Sequence, residues 1–407
     1  MNKKVYAAAG FNTEFMGPGR KEFNPKAQMP DFEYYLKKAA EGSLEQIPNP
    51  GFDEGIISNF MAPRFIKQGN LAGFLPSIVP SLHHKPCFRA EGACGSGGLA
   101  LTMGIRSILS GLADSIFISG FEIQNTVKAL YGADILAGAA YHKGERKKGH
   151  AFFFPGIFSK RAGACYKKYG YETIRRGMAR WYENAVINAR KCPLAQEYHN
   201  SKENLFELAM TAPDASRFVK HLNLFDCSKV SDGASSLALY SEKGLKKAGI
   251  KTEDAVEIIG FNSCEGDITK RPKKLSSLTT TKASAKKSFS MANIKASDLD
   301  VLEIHDCFSI TGLLAIEALG LAKKGCAADY VYEGKTKADA EMPVNPSGGL
   351  CGFGHPTGAT GIRQMVDLIS QLTAKAANQV KVKNGLGMMV SMGGNDKTLS
   401  SLIVKKI

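Results

Sequence analysis

Short apolar runs alternate with longer amphipathic stretches along most of this chain. In the longer stretches apolar residues recur at the spacing of one helix face, from Leu101 to Leu112 and again from Ile362 to Leu372. This alternation predicts an α/β fold in which a parallel or mixed sheet carries helices on its faces. The predicted strands are Val5–Ala9, Ser115–Ser119, Ser236–Tyr240, Val256–Phe261, Val301–Ile304, Met388–Val390 and Leu399–Val404.

One long segment, residues 123–225, interrupts this alternation. It is aromatic, basic and irregular, and it lies between two predicted strands. We interpret it as an insertion that emerges from an N-terminal α/β unit, which residues 1–122 and 226–251 form together. Residues 252–407 then form a second α/β unit of comparable size. Within that second unit, Lys270–Lys287 predicts a loop that passes into a helix.

The positive charge of the chain narrows the classes of partner. The formal net charge is +15, and the insertion alone holds 17 Lys or Arg against 8 Asp or Glu. A small polyanion such as a nucleotide phosphate suits these scattered residues better than nucleic acid, since no basic tail or RNA-binding signature accompanies them. A solvated basic surface explains most of the charges individually. The basic clusters are Arg146–Lys148, Arg175–Arg176 with Arg180, and Arg190–Lys191.

The cysteines and the chain ends bear on the compartment. The nine cysteines contain no Cys-x-x-Cys pair and follow no signal peptide, which is typical of reduced thiols inside a cell. The early strand leaves no room for a transit peptide, and Lys405-Lys406-Ile407 is not a peroxisomal signal. No apolar run reaches the roughly eighteen residues of a membrane-spanning helix. We therefore expect a protein of the cytoplasm or of an organelle matrix, and not a secreted one.

The first candidate for chemistry is Cys94, which stands in Glu91–Gly98 directly before an amphipathic helix. The positive end of the helix dipole would stabilise a thiolate there. The glycines would let a substrate carbonyl approach backbone N–H groups. A buried cysteine in a tight strand–helix turn explains the same pattern equally well, so Cys94 alone leaves both interpretations open.

Two histidines and another cysteine occupy similar positions. His355 lies in a glycine-lined loop before the second amphipathic helix, where it suits proton transfer from a thiol, although an ordinary loop histidine fits equally. His305 and Cys307 end a predicted strand, where sites of α/β proteins are built. Zinc would need two more ligands than this pair supplies, so we expect no metal. The segment Ser391–Asn395 reads by itself as a glycine turn after a strand.

Together these four segments resemble the thiolase superfamily, and within it the HDCF subfamily typified by the thiolase domain of sterol carrier protein x. Cys94-Gly95-Ser96 resembles the nucleophile motif, His305-Asp306-Cys307-Phe308 the HDCF motif, and Gly354-His355-Pro356 the GHP motif. The motifs follow the family order over nearly the whole chain. The resemblance implies two similar α/β halves with mixed five-stranded sheets and helices on both faces, and a loop domain inserted in the N-terminal half.

The resemblance also implies an acyltransferase that cleaves 3-ketoacyl-CoA with CoA, or condenses acetyl-CoA in the reverse direction. His355 would take the proton of Cys94, whose thiolate attacks the keto carbon, and Cys307 would protonate the departing enolate. His305 would hold the thioester oxygen, while the N–H groups of Cys94 and Gly393 would form a second oxyanion hole. The usual C-terminal cysteine of other thiolases is Ser391 here, and in this subfamily Cys307 replaces it.

Ligands and partners follow from the same resemblance. Coenzyme A would be substrate or product, with no cofactor permanently bound, and the basic insertion would hold its phosphorylated adenosine end. A homodimer or tetramer is implied. The candidate substrate contacts are Ser228, on the pantetheine side, and Arg175, Arg176 and Lys220.

Two other functions share part of this pattern. Cys94, His305 and His355 also resemble the Cys-His-His set of ketoacyl synthases, which decarboxylate malonyl thioesters, but Cys307 beside His305 favours a thiolase. A thiolase-like subunit that binds acyl-CoA or lipid without catalysis is the remaining alternative. All the reactive side chains are present, which favours an enzyme.

Overall fold

The computed structural model describes residues 3–146 and 152–407, and all seven predicted strands occur within them. Most of these strands extend beyond the apolar runs that indicated them. Two further short strands escape the sequence pattern, Glu54–Ser58 and Cys87–Ala90. In chain order the strands are β1 (Tyr6–Asn12), β2 (Glu54–Ser58), β3 (Cys87–Ala90), β4 (Ser115–Glu122), β5 (Gly233–Tyr240), β6 (Ala255–Glu265), β7 (Val301–Ile304), β8 (Leu386–Gly393) and β9 (Thr398–Lys406).

The strands of the described residues form one mixed sheet in the order β3-β2-β4-β5-β1-β6-β9-β8-β7. Strand β1 pairs antiparallel with β5 on one side and with β6 on the other. It thereby joins a five-stranded N-terminal half to a four-stranded C-terminal half. The α/β class is confirmed, but the strand count differs from two five-stranded sheets. The halves are continuous because pairing both edges of β1 satisfies its buried backbone groups.

Both helices predicted from apolar spacing are present. The first begins at Ser96 and the second at Thr360, and a helix from Thr279 follows the loop predicted within Lys270–Lys287. In chain order the helices of the described residues are α1 (Phe32–Leu44), α2 (Ala62–Phe65), α3 (Leu75–Ile78), α4 (Ser96–Ser110), α5 (Ala129–Leu136), α6 (His142–Glu145), α7 (Phe153–Tyr169), α8 (Tyr171–Ala189), α9 (Leu205–Met210), α10 (Glu242–Ala248), α11 (Thr279–Ala292), α12 (Ser309–Leu319), α13 (Ala327–Tyr332), α14 (Gly349–Gly352) and α15 (Thr360–Leu372).

The helices lie on both faces of the sheet. Successive residues of β1 alternate between two cores, because side chains of a strand point to opposite faces in turn. Tyr6 and Ala8 pack in the core that includes α1, whereas Ala7 packs with α4 and α15. Each face of the sheet is therefore covered by apolar helix surface.

The regular structure of the predicted insertion is helical in the residues that are described. Helices α5 to α9 fall between β4 and β5, and the described residues of 123–225 form no strand of the sheet. Helix α8 packs against α12 and α13 of the C-terminal half. The division into domains stays a prediction, and Lys147 and Lys148 of the basic cluster lie outside the described residues. No helix in the described part of the chain has the length and apolar character needed to cross a membrane.

Helices α4 and α15 occupy the middle of the molecule, in contact with strands of both halves and with each other. Their first turns meet backbone to backbone through glycines. A Cβ atom at Gly97 would lie 2.8 Å from the backbone nitrogens of Gly361 and Ile362, and one at Gly361 would overlap the nitrogen of Gly98. This contact brings together the loops that precede the two helices, which carry Cys94 and His355.

Replacing Gly97 by alanine should destabilise the fold. The added methyl group would press against backbone atoms that cannot move aside, so we expect the free energy of unfolding to fall by about 1–3 kcal/mol. Chemical denaturation measures the effect. Gly51→Ala is the matched control, because a Cβ atom at Gly51 meets nothing within 4 Å. Equal stability of the two variants would contradict the proposed packing.

Candidate active site

Cys94 lies in a tight turn between β3 and α4. Ala93, just before it, has a φ of 54°, in the left-handed region that costs a non-glycine residue about 1 kcal/mol or more. The hydroxyl of Ser96 holds the turn by donating to the Ala93 carbonyl at 2.6 Å and accepting from the Gly92 N–H at 3.0 Å. Cys94 is thereby fixed at the beginning of α4, where the sequence predicts it.

His355 is oriented by the helix that follows it. Its Nδ1 lies 2.7 Å from the Thr360 hydroxyl, which itself donates to the Pro356 carbonyl at 3.0 Å. Because the hydroxyl proton is already used, Nδ1 must be the donor, and Nε2 carries the lone pair. Nε2 is buried and has no hydrogen-bond partner among the described residues. His355 therefore presents a basic nitrogen to the interior.

His305 and Cys307 follow β7 in an anchored loop. Between them, the buried carboxylate of Asp306 accepts hydrogen bonds from the indole of Trp181 at 2.8 Å and from the Leu350 N–H at 2.7 Å. Both ring nitrogens of His305 are buried, and neither has a hydrogen-bond partner in the described part of the chain. The loop is thus rigid, while the imidazole of His305 remains available to a ligand.

These four side chains line one cavity of about 440 Å³. The Cys94 sulfur and a nitrogen of each imidazole lie within 4.8 Å of one another. The rings of His305 and His355 are 5.1 Å apart between centroids and inclined at 85°. The structure therefore brings together the residues that the sequence predicts as a site, while their chemical roles remain predictions.

Apolar and aromatic side chains form most of the cavity wall. Phe158 of α7 stacks on Phe308, beside Cys307, with ring centroids 4.5 Å apart. A wall of this kind excludes water and suits an apolar group attached to a thioester. Its other apolar side chains include Phe65, Val127, Leu136, Phe152, Phe154, Phe218, Leu224 and Val230.

The surroundings of Cys94 oppose the resting thiolate that its helix position predicts. Burial, and after it the carboxylate of Glu122, raise the pKa of Cys94 to about 12, although the Gly394 N–H lowers it. A helix dipole contributes only about 1 kcal/mol, which desolvation of a thiolate exceeds. Cys94 is therefore a neutral thiol that needs a base when it reacts.

The other three groups are also neutral at physiological pH. Burial, assisted by the charge of Arg363, lowers the pKa of His355 to about 3. Burial, then His355 and Arg363, lower the pKa of His305 well below 6.5, and burial raises the pKa of Cys307 well above 9.0. A neutral His355 can accept a proton, and a neutral His305 can donate a hydrogen bond.

Of the predicted substrate contacts, Ser228 lies at the cavity and Arg175 does not. Ser228 is part of the cavity wall, and its N–H donates to the Cys307 carbonyl at 2.9 Å. Arg175 is fully buried and binds Asp226 through two hydrogen bonds of 2.7 and 2.5 Å. Because this ion pair already occupies its guanidinium, the geometry disfavours a contact between Arg175 and CoA, and that contact stays a prediction.

Two further basic candidates lie away from the cavity wall. Arg176 pairs with Asp329 at 2.5 Å and lies over the ring of Tyr332. Lys220 is exposed in the loop that contributes Phe218 to the wall. A CoA phosphate outside the cavity would meet Lys220 more readily than Arg176, and both contacts stay predictions.

The glycine turn within Ser391–Asn395 places Gly394 at the cavity, beside the predicted Gly393. Gly394 lines the cavity, and its N–H lowers the pKa of Cys94 as described above. A Cβ atom at Gly393 would overlap the Gly92 carbonyl, so glycine is required there, while its part in an oxyanion hole stays a prediction. The buried Ser391 faces the beginnings of α4 and α15 rather than the cavity. It is badly placed for acid–base chemistry.

Sequence reasoning missed the contribution of Glu122 at the end of β4. This buried carboxylate accepts hydrogen bonds from the Phe60 N–H at 2.8 Å and the Thr357 hydroxyl at 2.7 Å, so it ties two loops to the site. The signal available in the sequence was an acidic residue at the end of an apolar strand. The partner of His355, Thr360, had no signal beyond its position five residues later.

Three donor atoms within 4.8 Å also raise the question of a metal ion. A structural zinc site takes four protein ligands, and this cluster supplies three. The cluster found in the described residues contains no carboxylate donor. We interpret Cys94, His305 and His355 as a nucleophile and two neutral imidazoles, and the absence of a metal stays a prediction.

Comparison with known proteins relates this arrangement to one family. A family model described as thiolase C-terminal domain-like matches residues 262–406. An acetyl-CoA acetyltransferase of Methanocaldococcus jannaschii is 33% identical over 362 residues, which cover 87% of this chain and 88% of that protein. Sterol carrier protein 2 of Oryctolagus cuniculus is 26% identical over 95% of this chain and 70% of its own length.

Solved structures agree with the observed fold. Human mitochondrial 3-ketoacyl-CoA thiolase superposes on this chain with a TM-score of 0.71. The match spans all of this chain and 99% of the human one. The sequence identity is 15%, so this likeness concerns the fold alone.

Removing the hydroxyl of Thr360 should slow proton transfer from Cys94. In Thr360→Val the Nδ1 atom of His355 loses its acceptor, and the imidazole can adopt the wrong tautomer or rotate. We expect acyl transfer to Cys94, measured by mass spectrometry after rapid mixing with an acyl thioester, to slow about tenfold to a hundredfold. Thr360→Ser keeps the hydroxyl and is the control. Similar rates in both variants would contradict the assigned tautomer.

Proposed function

Because this chain belongs to the thiolase superfamily, we propose that the cavity between α4 and α15 performs thiolase chemistry on CoA thioesters, with Cys94 as nucleophile. The chain is an acyltransferase of the thiolase type. The observation that carries the proposal is the common cavity of Cys94, His305, Cys307 and His355. Each of the four supplies a function that this chemistry needs.

The first step transfers an acyl group to Cys94. Nε2 of His355 takes the thiol proton, and the sulfur attacks the keto carbon of a 3-ketoacyl-CoA. The pKa of Cys94 makes this proton transfer necessary, and the low pKa of His355 keeps the imidazole free to accept. The N–H groups of Cys94 and Gly393 would stabilise the oxyanion that forms on the attacked carbonyl.

Cleavage of the carbon–carbon bond then releases acetyl-CoA. The bonding electrons pass into an enolate whose oxygen accepts a hydrogen bond from His305, and the Cys307 thiol gives its proton to the α carbon. CoA thiol next returns a proton to Cys307, and its sulfur attacks the thioester on Cys94. The shortened acyl-CoA is released, and the departing Cys94 thiolate takes back the proton that His355 holds. In reverse, the same groups join two acetyl-CoA molecules. The unpartnered ring nitrogens of His305 support this role.

The apolar wall supports a substrate whose acyl group is uncharged. Among the described residues of the cavity wall, the cationic side chain is Lys229, which lies 3.0 Å from the carboxylate of Glu197 and is not free for a second acid. Ser228 stands where a pantetheine arm would enter. Lys220 remains our candidate for the CoA phosphates. No permanently bound cofactor is required for these steps.

The finer assignments extend this proposal. Thiolysis would serve the breakdown of fatty acids, and condensation would serve biosynthesis; the residues permit both directions.

We propose that the protein forms a homodimer, since β3 ends the sheet with an unpaired edge and leaves Phe88 45% exposed. Sedimentation of wild-type protein and a Phe88→Lys variant tests this assembly.

Two cysteine variants should separate the half-reactions. Cys94→Ala should abolish acyl transfer completely, because no nucleophile remains. Cys307→Ala should still acquire an acyl group on Cys94 but should lose condensation of acetyl-CoA by about a hundredfold or more. Mass spectrometry detects the acyl-enzyme, and formation of acetoacetyl-CoA measures condensation. Condensation at the wild-type rate in Cys307→Ala would refute the acid–base role.

The pH dependence of acylation should lack the inflection of an ordinary histidine. His355 has a pKa of about 3, so it becomes protonated only in strong acid, and its basic form is fully present from pH 5 to 8. We expect rapid-mixing rates of Cys94 acylation to vary by less than about threefold over that range. A loss of rate centred near pH 6.5 would show that His355 titrates normally.

Substrate assays distinguish the remaining functions. A thiolase consumes acetoacetyl-CoA in the presence of CoA, whereas a ketoacyl synthase releases carbon dioxide from a malonyl thioester. A binding subunit would retain acyl-CoA without turning it over. A series of 3-ketoacyl-CoA chain lengths, with Cys94→Ala as the inactive control, identifies the preferred substrate.

A further inference from the structure

Arg161 of α7 is fully buried, yet no carboxylate lies within ion-pair distance of it among the described residues. Its Nε donates to the side-chain oxygen of Asn395 at 2.6 Å, and its Nη1 donates to the carbonyls of Leu275 at 3.0 Å and Ser277 at 2.8 Å. Its Nη2 has no partner in the described part of the chain. A buried arginine normally pairs with an acid, because an isolated charge is costly to bury.

This unpaired charge lies directly behind the cavity. One turn earlier on α7, Phe158 stacks on Phe308, the neighbour of Cys307. Asn395 follows Gly394, whose N–H acts on the Cys94 sulfur. Arg161 therefore lies between the loop that carries Cys307 and the turn that carries Gly394. It is not part of the cavity wall, so it acts through other residues.

The charged and titratable neighbours of Cys307 show what Arg161 adds. Besides burial, two groups disfavour a negative sulfur at Cys307, namely Cys94 and Asp306, while the Thr311 hydroxyl favours it. Arg161 is the cation that acts on Cys307 in the opposite direction.

The acid whose charge acts on Arg161 is Asp396, which is already committed elsewhere. A thiolate at Cys165 or Cys307 would also act on Arg161, but both thiols are neutral at rest. The carboxylate of Asp396 accepts the N–H groups of Thr280 and Thr281 at 2.9 Å, at the beginning of α11. A neutral donor would suffice to hold the carbonyls of Leu275 and Ser277, so these hydrogen bonds do not explain why a positive charge is buried at Arg161.

We propose that Arg161 is a positioning residue that stabilises the thiolate of Cys307 and holds the Gly394–Asn395 turn beside Cys94. The proposal rests on the acid–base role of Cys307. When Cys307 gives its proton to the enolate carbon, the S–H bond breaks, a C–H bond forms and the negative charge moves to the sulfur. That thiolate persists until the thiol of CoA returns a proton. The buried guanidinium favours this intermediate from behind the largely apolar cavity wall.

Alkylation of Cys307 reports its thiolate without requiring turnover. We would treat folded protein carrying Cys94→Ala with iodoacetamide across a pH series and quantify Cys307 labelling by peptide mass spectrometry. In the neutral variant Arg161→Met, the pH midpoint of Cys307 labelling should rise by about one pH unit. Below that midpoint, labelling of Cys307 should be about tenfold slower than with Arg161 present. Arg161→Lys keeps the charge and should retain most of the wild-type profile.

The controls keep the outcomes distinct. Circular dichroism checks folding, and Arg161→Gln, which keeps a donor for Asn395, replaces the methionine variant if that one fails to fold. An unchanged midpoint in a folded neutral variant would overturn the role of Arg161. A shifted midpoint without thiolase activity in wild-type protein would instead disprove the proposed function and leave the electrostatic effect standing.

Discussion

Backbone contact between the first turns of α4 and α15 is the constraint on which the site depends. Glycines 97, 98 and 361 leave no side chain between the helices, so their preceding loops meet. Those loops carry the proposed nucleophile and its proposed base, which come from different halves of the sheet. A larger residue at the crossing would separate Cys94 from His355 even if each loop kept its own conformation.

Enclosure of the site in an apolar cavity sets its electrostatics. Burial raises the pKa of the thiols and lowers that of the imidazoles, so the resting groups are neutral and charge appears only during reaction. Arg363 is fully buried, and its Nη1 lies 2.8 Å from the carboxylate of Glu303 and 2.6 Å from that of Asp367. This compensated network supports the site without placing a net cation in the cavity.

The sequence predicted most of the regular structure, and its failures have physical causes. Strand β3 carries Arg89, whose guanidinium binds the Phe60 carbonyl at 2.9 Å, and Phe88, which is exposed at the sheet edge, so the apolar pattern is absent. Continuity of the sheet through β1 could not be read from the chain, because both edges of a strand pair by backbone. The ion pair that occupies Arg175 could not be predicted either, because its partner, Asp226, is distant in sequence.

The sequence by itself determined the candidate reactive residues and their order, because Cys94, His305, Cys307 and His355 each stand in a short motif beside a strand or helix end. Tertiary structure alone decided their protonation states, the tautomer of His355 and the unpaired charge of Arg161. These properties depend on desolvation and on partners from distant segments, such as Thr357 against Glu122 or Asn395 against Arg161. Local motifs contain no information about what the fold packs around them.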